Sequence, residues 1–329
     1  MNSYLRSLAV PLAAVGLALV WPATGLMQQP QTPTGPAGQP GIAWSEEQLK
    51  QAVAPVRVGR KLTPASWPNG AKVAVCLSYD VDNEYLSSGR ALPTPMSQGE
   101  FGAVSGLPRV LDLLDRHQIP ASFYIPASAA ILHPQMLEQI KKSGRHEIGL
   151  HGWIHENLPS LNNEAEEERL LNQSLAYFEK ATGKRPVGYR APGWAMSQYT
   201  LGLIRKAGLL YDSSMMGMDA PYEINANGQP TGLIELPVEW ILDDAPYFGQ
   251  SGALPSPELI FQVYRDEFDV ALEEGTMFML TFHPQVSGHR SRMVHMEKLV
   301  EYIKSKPGVW FATAEQIAQY VKQNGGKTQ

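Results

Sequence analysis

The sequence predicts an α/β fold wound around a parallel sheet, and three observations predict it. From Ala71 onward short apolar runs alternate with longer amphipathic ones, roughly six or seven strand–helix pairs in succession. Runs such as Lys72–Tyr79 (KVAVCLSY) and Thr276–Phe282 (TMFMLTF) are apolar on both faces, as strands buried in a parallel sheet are. Four of the runs end directly in ionisable side chains. This pattern fits a closed α/β barrel or a doubly wound sheet, both of which carry their sites at the carboxyl ends of the strands.

The elements follow in order. After the strand Lys72–Tyr79, Leu107–His117 places Leu107, Val110, Leu111 and Leu114 at helical spacing. Ala121–Ile125 is a strand, His133–Ser143 a helix capped by Gly144, and Glu147–Leu150 a short strand. A charged helix covers Asn163–Thr182, with the acidic run Glu164–Glu168 as its solvated face. Pro186–Arg190, a helix over Gln198–Ala207, and Leu209–Tyr211 continue the alternation. Met215–Gln229, with its Gly, Asn and Pro residues, reads as a long loop over one mouth. Leu233–Val238, a helix near Pro257–Glu274, the strand Thr276–Phe282 and a helix over Ser291–Lys304 come next. Val309–Ala312 and a last helix to Gln323 close the series.

Composition narrows the function classes. The 329 residues are 43% hydrophobic and carry a net charge of −5, which excludes a disordered chain and argues against nucleic acid as a partner. The lone cysteine, Cys76, has no internal disulfide partner and reads as an inert buried thiol. At the amino terminus Arg6 precedes an apolar run from Leu8 to Ala23, and no charge follows until Glu46. Residues 1–27 therefore read as an export signal, or as an uncleaved membrane anchor, since the uncharged stretch approaches the roughly 20 residues that span a bilayer. Residues 28–70 are a Pro/Gln/Gly-rich linker and lead-in, and 71–323 the catalytic domain.

The ionisable groups at the strand ends are Asp80-Val81-Asp82, His151 with His155, Arg190 before Ala191-Pro192, and His283-Pro284. Two carboxylates two apart on extended chain face the same side. Histidines four apart on a helical turn sit close enough to share a metal. Each motif alone has an ordinary reading: a turn cap, a surface pair, a salt bridge, a core histidine. Together, at matching strand ends, they point to metal-assisted hydrolysis. Two imidazoles and a carboxylate make a three-ligand site with positions left open. A second carboxylate can serve as general base, a histidine across the mouth as general acid, and an arginine offsets the crowded negative charge.

At these motifs the chain resembles the polysaccharide deacetylase superfamily, the NodB-homology or carbohydrate esterase family four fold, over roughly Ala71 to Tyr320. Ser78-Tyr79-Asp80-Val81-Asp82 stands where that family has Thr-Phe-Asp-Asp, and His151-Gly152-Trp153-Ile154-His155 matches its metal motif. Arg190-Ala191-Pro192, Tyr211-Asp212-Ser213-Ser214 and Leu280-Thr281-Phe282-His283 match the remaining three in order. The resemblance implies an irregular (β/α) barrel. It implies Asp80 as catalytic base, Asp82, His151 and His155 as metal ligands, and His283 as general acid. Arg190 would orient Asp80, and Asp212 would support or tune the acid. Val81 separates aspartates that the family keeps adjacent, and Gly193 stands where an aromatic residue is usual, leaving Trp194 to fill that place. Asp80-Val81-Asp82, Tyr211-Asp212-Ser213-Ser214, Val238–Asp244 and His283-Pro284-Gln285 together resemble a branch that contains peptidoglycan deacetylase-like proteins, allantoinase-like proteins and cyclic-imide hydrolases.

Other residues carry weaker expectations. Trp153, Trp194, Trp240 and Tyr247 could build a sugar platform, with core packing as the ordinary alternative. Glu84 faces the same mouth or solvent, and Asp243-Asp244 contacts substrate or caps a helix. The expected function is that of an exported N-deacetylase of amino-sugar polysaccharide, peptidoglycan or chitin-like. It would use a divalent metal, zinc first, with cobalt, nickel and manganese suiting similar ligands. The alternatives are a cyclic amide or ureide hydrolase on the same scaffold, and a non-catalytic carbohydrate-binding protein.

Overall fold

A computed structural model of the protein describes residues 40–84, 86, 89–249 and 255–326. The expected export signal or anchor at residues 1–27 lies outside them. Among the described residues no helix is long and apolar enough to cross a membrane.

The described strands are β1 (Arg57–Lys61), β2 (Val73–Asp80), β3 (Ser122–Ile125), β4 (Glu147–Leu150), β5 (Gly188–Tyr189), β6 (Tyr211–Asp212), β7 (Tyr222–Ala226), β8 (Gln229–Glu235), β9 (Met277–Phe282) and β10 (Val309–Phe311). They form one sheet in the order β1-β7-β8-β6-β5-β4-β3-β2-β10, with β9 on the other flank of β2. Pairing is parallel except within β1, β7 and β8. A parallel bridge between Asp243 and Thr281 brings the chain that follows β8 against β9 and curls the sheet into an irregular barrel.

β2 explains why its sequence is apolar throughout. It is flanked by β9 from Ala74 to Tyr79, by β10 at Val73–Val75 and by β3 at Ser78–Asp80, and all of its residues are buried. Alternation along the strand turns Val73, Val75, Leu77 and Tyr79 toward the helices, where Tyr79 stacks on Phe123 at 5.1 Å. Ala74 and Cys76 face the other way, into a second core with Tyr124, Tyr211, Met277 and Met279. Ser78 and Asp80 continue that inner row, so the strand delivers Asp80 into the barrel mouth.

Three expectations need correcting. The fold begins before residue 71: β1 pairs with β7, and Trp67 is buried beside Trp310 and Tyr320. Met215–Gln229 is not one long loop, because β7 and β8 form a hairpin across Asn227-Gly228, both with positive φ. That dipeptide is a strong two-residue hairpin signal. A helix at Pro93–Phe101, absent from the sequence reading, runs through a π-helical turn at Gly102–Gly106 into Leu107–His117. Glycine disfavours helix, and here tertiary contact decides. A Cβ on Gly99 would lie 2.5 Å from the Asn83 carbonyl, and one on Gly106 2.1 Å from that of Pro284. The helix thus rests its bare backbone on the segments that follow Asp82 and His283.

Candidate active site

Asp80 ends β2 and is almost fully buried. Arg190, just beyond β5, donates from Nη1 to Asp80 Oδ1 at 2.7 Å and to Ser78 Oγ at 2.9 Å. Its other nitrogens donate to the carbonyl and hydroxyl of Ser213, at 3.0 and 2.9 Å, and its guanidinium lies 4.0 Å from the Tyr124 ring centroid. Gly193 and Trp194 both adopt positive φ, and this turn brings Trp194 Nε1 to 3.4 Å from Asp80 Oδ2. Trp194 also packs on Trp240 at 4.2 Å. Of the four aromatics expected to form a platform, these two adjoin the site. Trp153 packs edge-on to Tyr177, and Tyr247 packs on Phe248 and Tyr264.

Asp82, His151 and His155 converge, with ligand atoms all within 4.8 Å of one another. Asp82 Oδ1 stands 3.3 Å from His151 Nε2 and 3.7 Å from His155 Nε2. The histidine pair does not lie on a helical turn as expected. It sits in a loop that reverses at Gly152 (φ +79°) and at His155 (φ +55°), and backbone dihedrals rather than helical pitch bring the imidazoles together.

The three groups fit a divalent metal. Asp82 Oδ1 is buried without a hydrogen-bond partner. His151 donates from Nδ1 to the Arg190 carbonyl at 2.8 Å, which aims the Nε2 lone pair at the same point. Burial resists charge on Asp82, but His155, His151 and His283 outweigh it and hold the carboxyl well below the usual range. Burial likewise opposes a proton on His151, yet Asp80 and Asp82 raise its pKa. The cluster is a place that favours a cation.

His283 follows β9. It donates from Nδ1 to Asp244 Oδ1 at 2.7 Å, its backbone N–H donates to the same carboxylate, and Nε2 faces Asp82 Oδ2 at 3.5 Å. Burial alone would depress this imidazole, but Asp244 and Asp243 raise its pKa well above the ordinary value. Burial and Asp244 in turn push Asp243 up to about 7 against the pull of His283. The residue that supports His283 is therefore Asp244, not Asp212 as expected. The Asp243–Thr281 bridge carries it there, a pairing with no local sequence signal.

Asp212 belongs to a different device. Its Oδ1 accepts from Ser214 Oγ at 2.9 Å, and it converges with Glu235 on the Ser214 N–H, at 3.1 and 3.0 Å. Ser214 Oγ in turn accepts the Ala191 N–H, so the pair braces the segment that carries Arg190. Burial first, and then the neighbouring carboxyl, lifts Glu235 well above its usual range; burial lifts Asp212 to about 6. Because folded values exceed unfolded ones, the stability these groups add is full below their ordinary values of 3.8 and 4.5 and is lost as pH rises, through about 6 for Asp212. Glu235→Gln should therefore gain on the wild type in urea-unfolding free energy as pH rises over this window, by on the order of 1.4 kcal/mol per pKa unit relieved. A pH-independent difference would contradict the raised pKa of Glu235.

Three smaller expectations also resolve. Glu84 turns away from the ligands and pairs with His133 at 2.9 Å. The run Glu164–Glu168 is not wholly solvated, because Glu167 is buried and accepts from Ser197 and Thr200. Cys76 is buried as expected, and burial pushes its thiol up to about 12.

Comparison with known proteins places this geometry. Residues 99–211 match the family model for polysaccharide deacetylases. Over 290 residues the chain is 31% identical to the peptidoglycan deacetylase of Helicobacter pylori, covering 77% of this chain and 98% of that one. The chain belongs to the polysaccharide deacetylase family. The fold agrees: a crystal structure assigned to the polysaccharide deacetylases, from Mycobacterium smegmatis, matches with TM-score 0.74 and 33% identity, over 83% of this chain and 99% of that one. The PuuE allantoinase matches with TM-score 0.71 and 25% identity, over 80% and 94%. As a polysaccharide deacetylase family member the chain is a hydrolase of non-peptide C–N bonds, in a family acting on N-acetylated glycans.

Proposed function

We propose that this deacetylase removes acetyl groups from the amino sugars of peptidoglycan, as a metal-dependent enzyme. The observation that carries this reading is the identity shared with the Helicobacter pylori peptidoglycan deacetylase over nearly that enzyme's whole length. A divalent metal held by Asp82, His151 and His155, zinc first, would polarise the amide carbonyl and lower the pKa of water. Asp80 takes the proton of the attacking water at Oδ2, while Arg190 engages Oδ1 and the Trp194 indole lies beside Oδ2. His283 gives its Nε2 proton to the departing nitrogen, and Asp244 fixes the tautomer by accepting from Nδ1. Replacing either member of that couple tests the acid. His283→Ala should lower kcat by about 10²- to 10⁴-fold, and Asp244→Asn should follow it in the same direction. An unaltered kcat in His283→Ala removes it from the mechanism.

The substrate is tested by incubating the purified protein with zinc and either acetylated peptidoglycan, chitin oligomers or allantoin. Zinc-dependent acetate from peptidoglycan is the expected result. A second reading, ring opening of a cyclic amide or ureide, is favoured by the likeness to the PuuE allantoinase. Allantoin hydrolysis without acetate release from any glycan would establish it in place of the first. The Arg6 and Leu8–Ala23 pattern supports export, which suits a cell-wall polymer better than a small metabolite.

A further inference from the structure

The loop that carries His151 and His155 belongs to neither helix nor strand, so something else must set the imidazole spacing. Its carbonyls are tied outward: Gly152 and Trp153 accept from the Ala127 and Ser128 N–H groups, at 3.2 and 2.8 Å. Its amides are tied inward to a single side chain. Glu156 is buried, and its two oxygens accept the Trp153 N–H, at 3.1 and 2.9 Å, while Oε2 also accepts the Ile154 N–H at 2.9 Å. These are two of the amides that lie between the histidines. The packing leaves no slack, since a Cβ on Gly152 would lie 2.9 Å from Glu156 Oε2 and 2.8 Å from Pro192.

We propose that Glu156 is a positioning residue for the metal centre, closing the loop from inside so that His151 and His155 face Asp82. It sets metal affinity without contributing a ligand atom. This rests on the metal-dependent reading above. Buried carboxylates that orient ligands through a shell of hydrogen bonds act in this way, and their loss weakens metal binding by about 10- to 100-fold.

A neighbour supplies the control. Glu167 lines the same small cavity as Glu156, is equally secluded, and spends its hydrogen bonds on Ser197 and Thr200. Zinc affinity is measured by chelator competition on the wild type, Glu156→Ala, Glu156→Gln and Glu167→Ala, with urea unfolding of each. Glu156→Ala should bind zinc about 10- to 100-fold more weakly. Glu156→Gln should recover most of that, because one amide oxygen placed where Oε2 stands accepts both N–H groups. Glu167→Ala should lose stability and keep its zinc affinity. Unchanged zinc affinity in Glu156→Ala overturns the proposal, as does an equal loss in Glu167→Ala, which would make the effect generic softening. A wild type that binds no zinc fails differently, overturning the metal reading and this inference with it. Should Glu156→Ala not fold, amide exchange in the wild type decides: protected Trp153 and Ile154 amides support the inner tie, and freely exchanging ones refute it.

Discussion

Asp80→Asn abolishes turnover and leaves zinc bound: the rate is expected to fall by about 10³-fold or more, at the upper reach of general-base loss. The asparagine oxygen can still accept from Arg190 Nη1, so the guanidinium keeps its place. Oδ2, the oxygen near Trp194 and 3.8 Å from His151, becomes an amide nitrogen that cannot take a proton. The three ligand side chains are untouched. His155→Ala provides the contrast, since it removes a ligand and should lose zinc and turnover together. Acetate release and metal content, measured on the same preparations, separate the two cases. Near-normal turnover in Asp80→Asn would dismiss it as the base.

The second large effect is on stability. Arg190→Met should cost about 3–5 kcal/mol of unfolding free energy, the range for breaking one side of a buried ion pair. Asp80 would be left as a buried carboxylate without its cation, and Ser213 would lose both of its guanidinium contacts. Arg190→Lys should rescue little. An ammonium cannot reach Ser78, Asp80 and Ser213 from one planar fork or lie flat over Tyr124. Urea unfolding checks both variants, and a loss in Arg190→Met below about 1 kcal/mol would refute the clamp.

Much of the site was legible because parallel barrel strands are buried along their length. β2 and β9 read as unbroken apolar runs, so the polar residues at their ends, Asp80 and His283, stood out without any structure. Arg190 was visible for a related reason, at the close of a short strand before Ala-Pro. Asp244 was not, because it reaches His283 through a single bridge from a segment with no strand pattern of its own. The spacing of His151 and His155 predicted that the two imidazoles meet, and they do, but not by the expected route. Four residues suggested helical pitch, where the chain instead turns through two positive φ values. Asp212 was misassigned because its motif gives no hint of Glu235, which arrives from the neighbouring strand β8.

The glycine-faced helix over Pro93–Gly106 has a consequence for how this enzyme could diversify. At Gly99 and Gly106 it touches the chain after Asp82 and the chain after His283 through main-chain atoms, which have no rotamers and no size to vary. A distance gauged in this way cannot be retuned by point substitution, as a side-chain spacer could. Adding even a methyl at Gly106 collides with the Pro284 carbonyl. The gap between the Asp82 segment and the His283 segment is thus a frozen parameter. Variation in what the site accepts is channelled to its rim, where Trp240 retains exposed surface and can change without disturbing that gap.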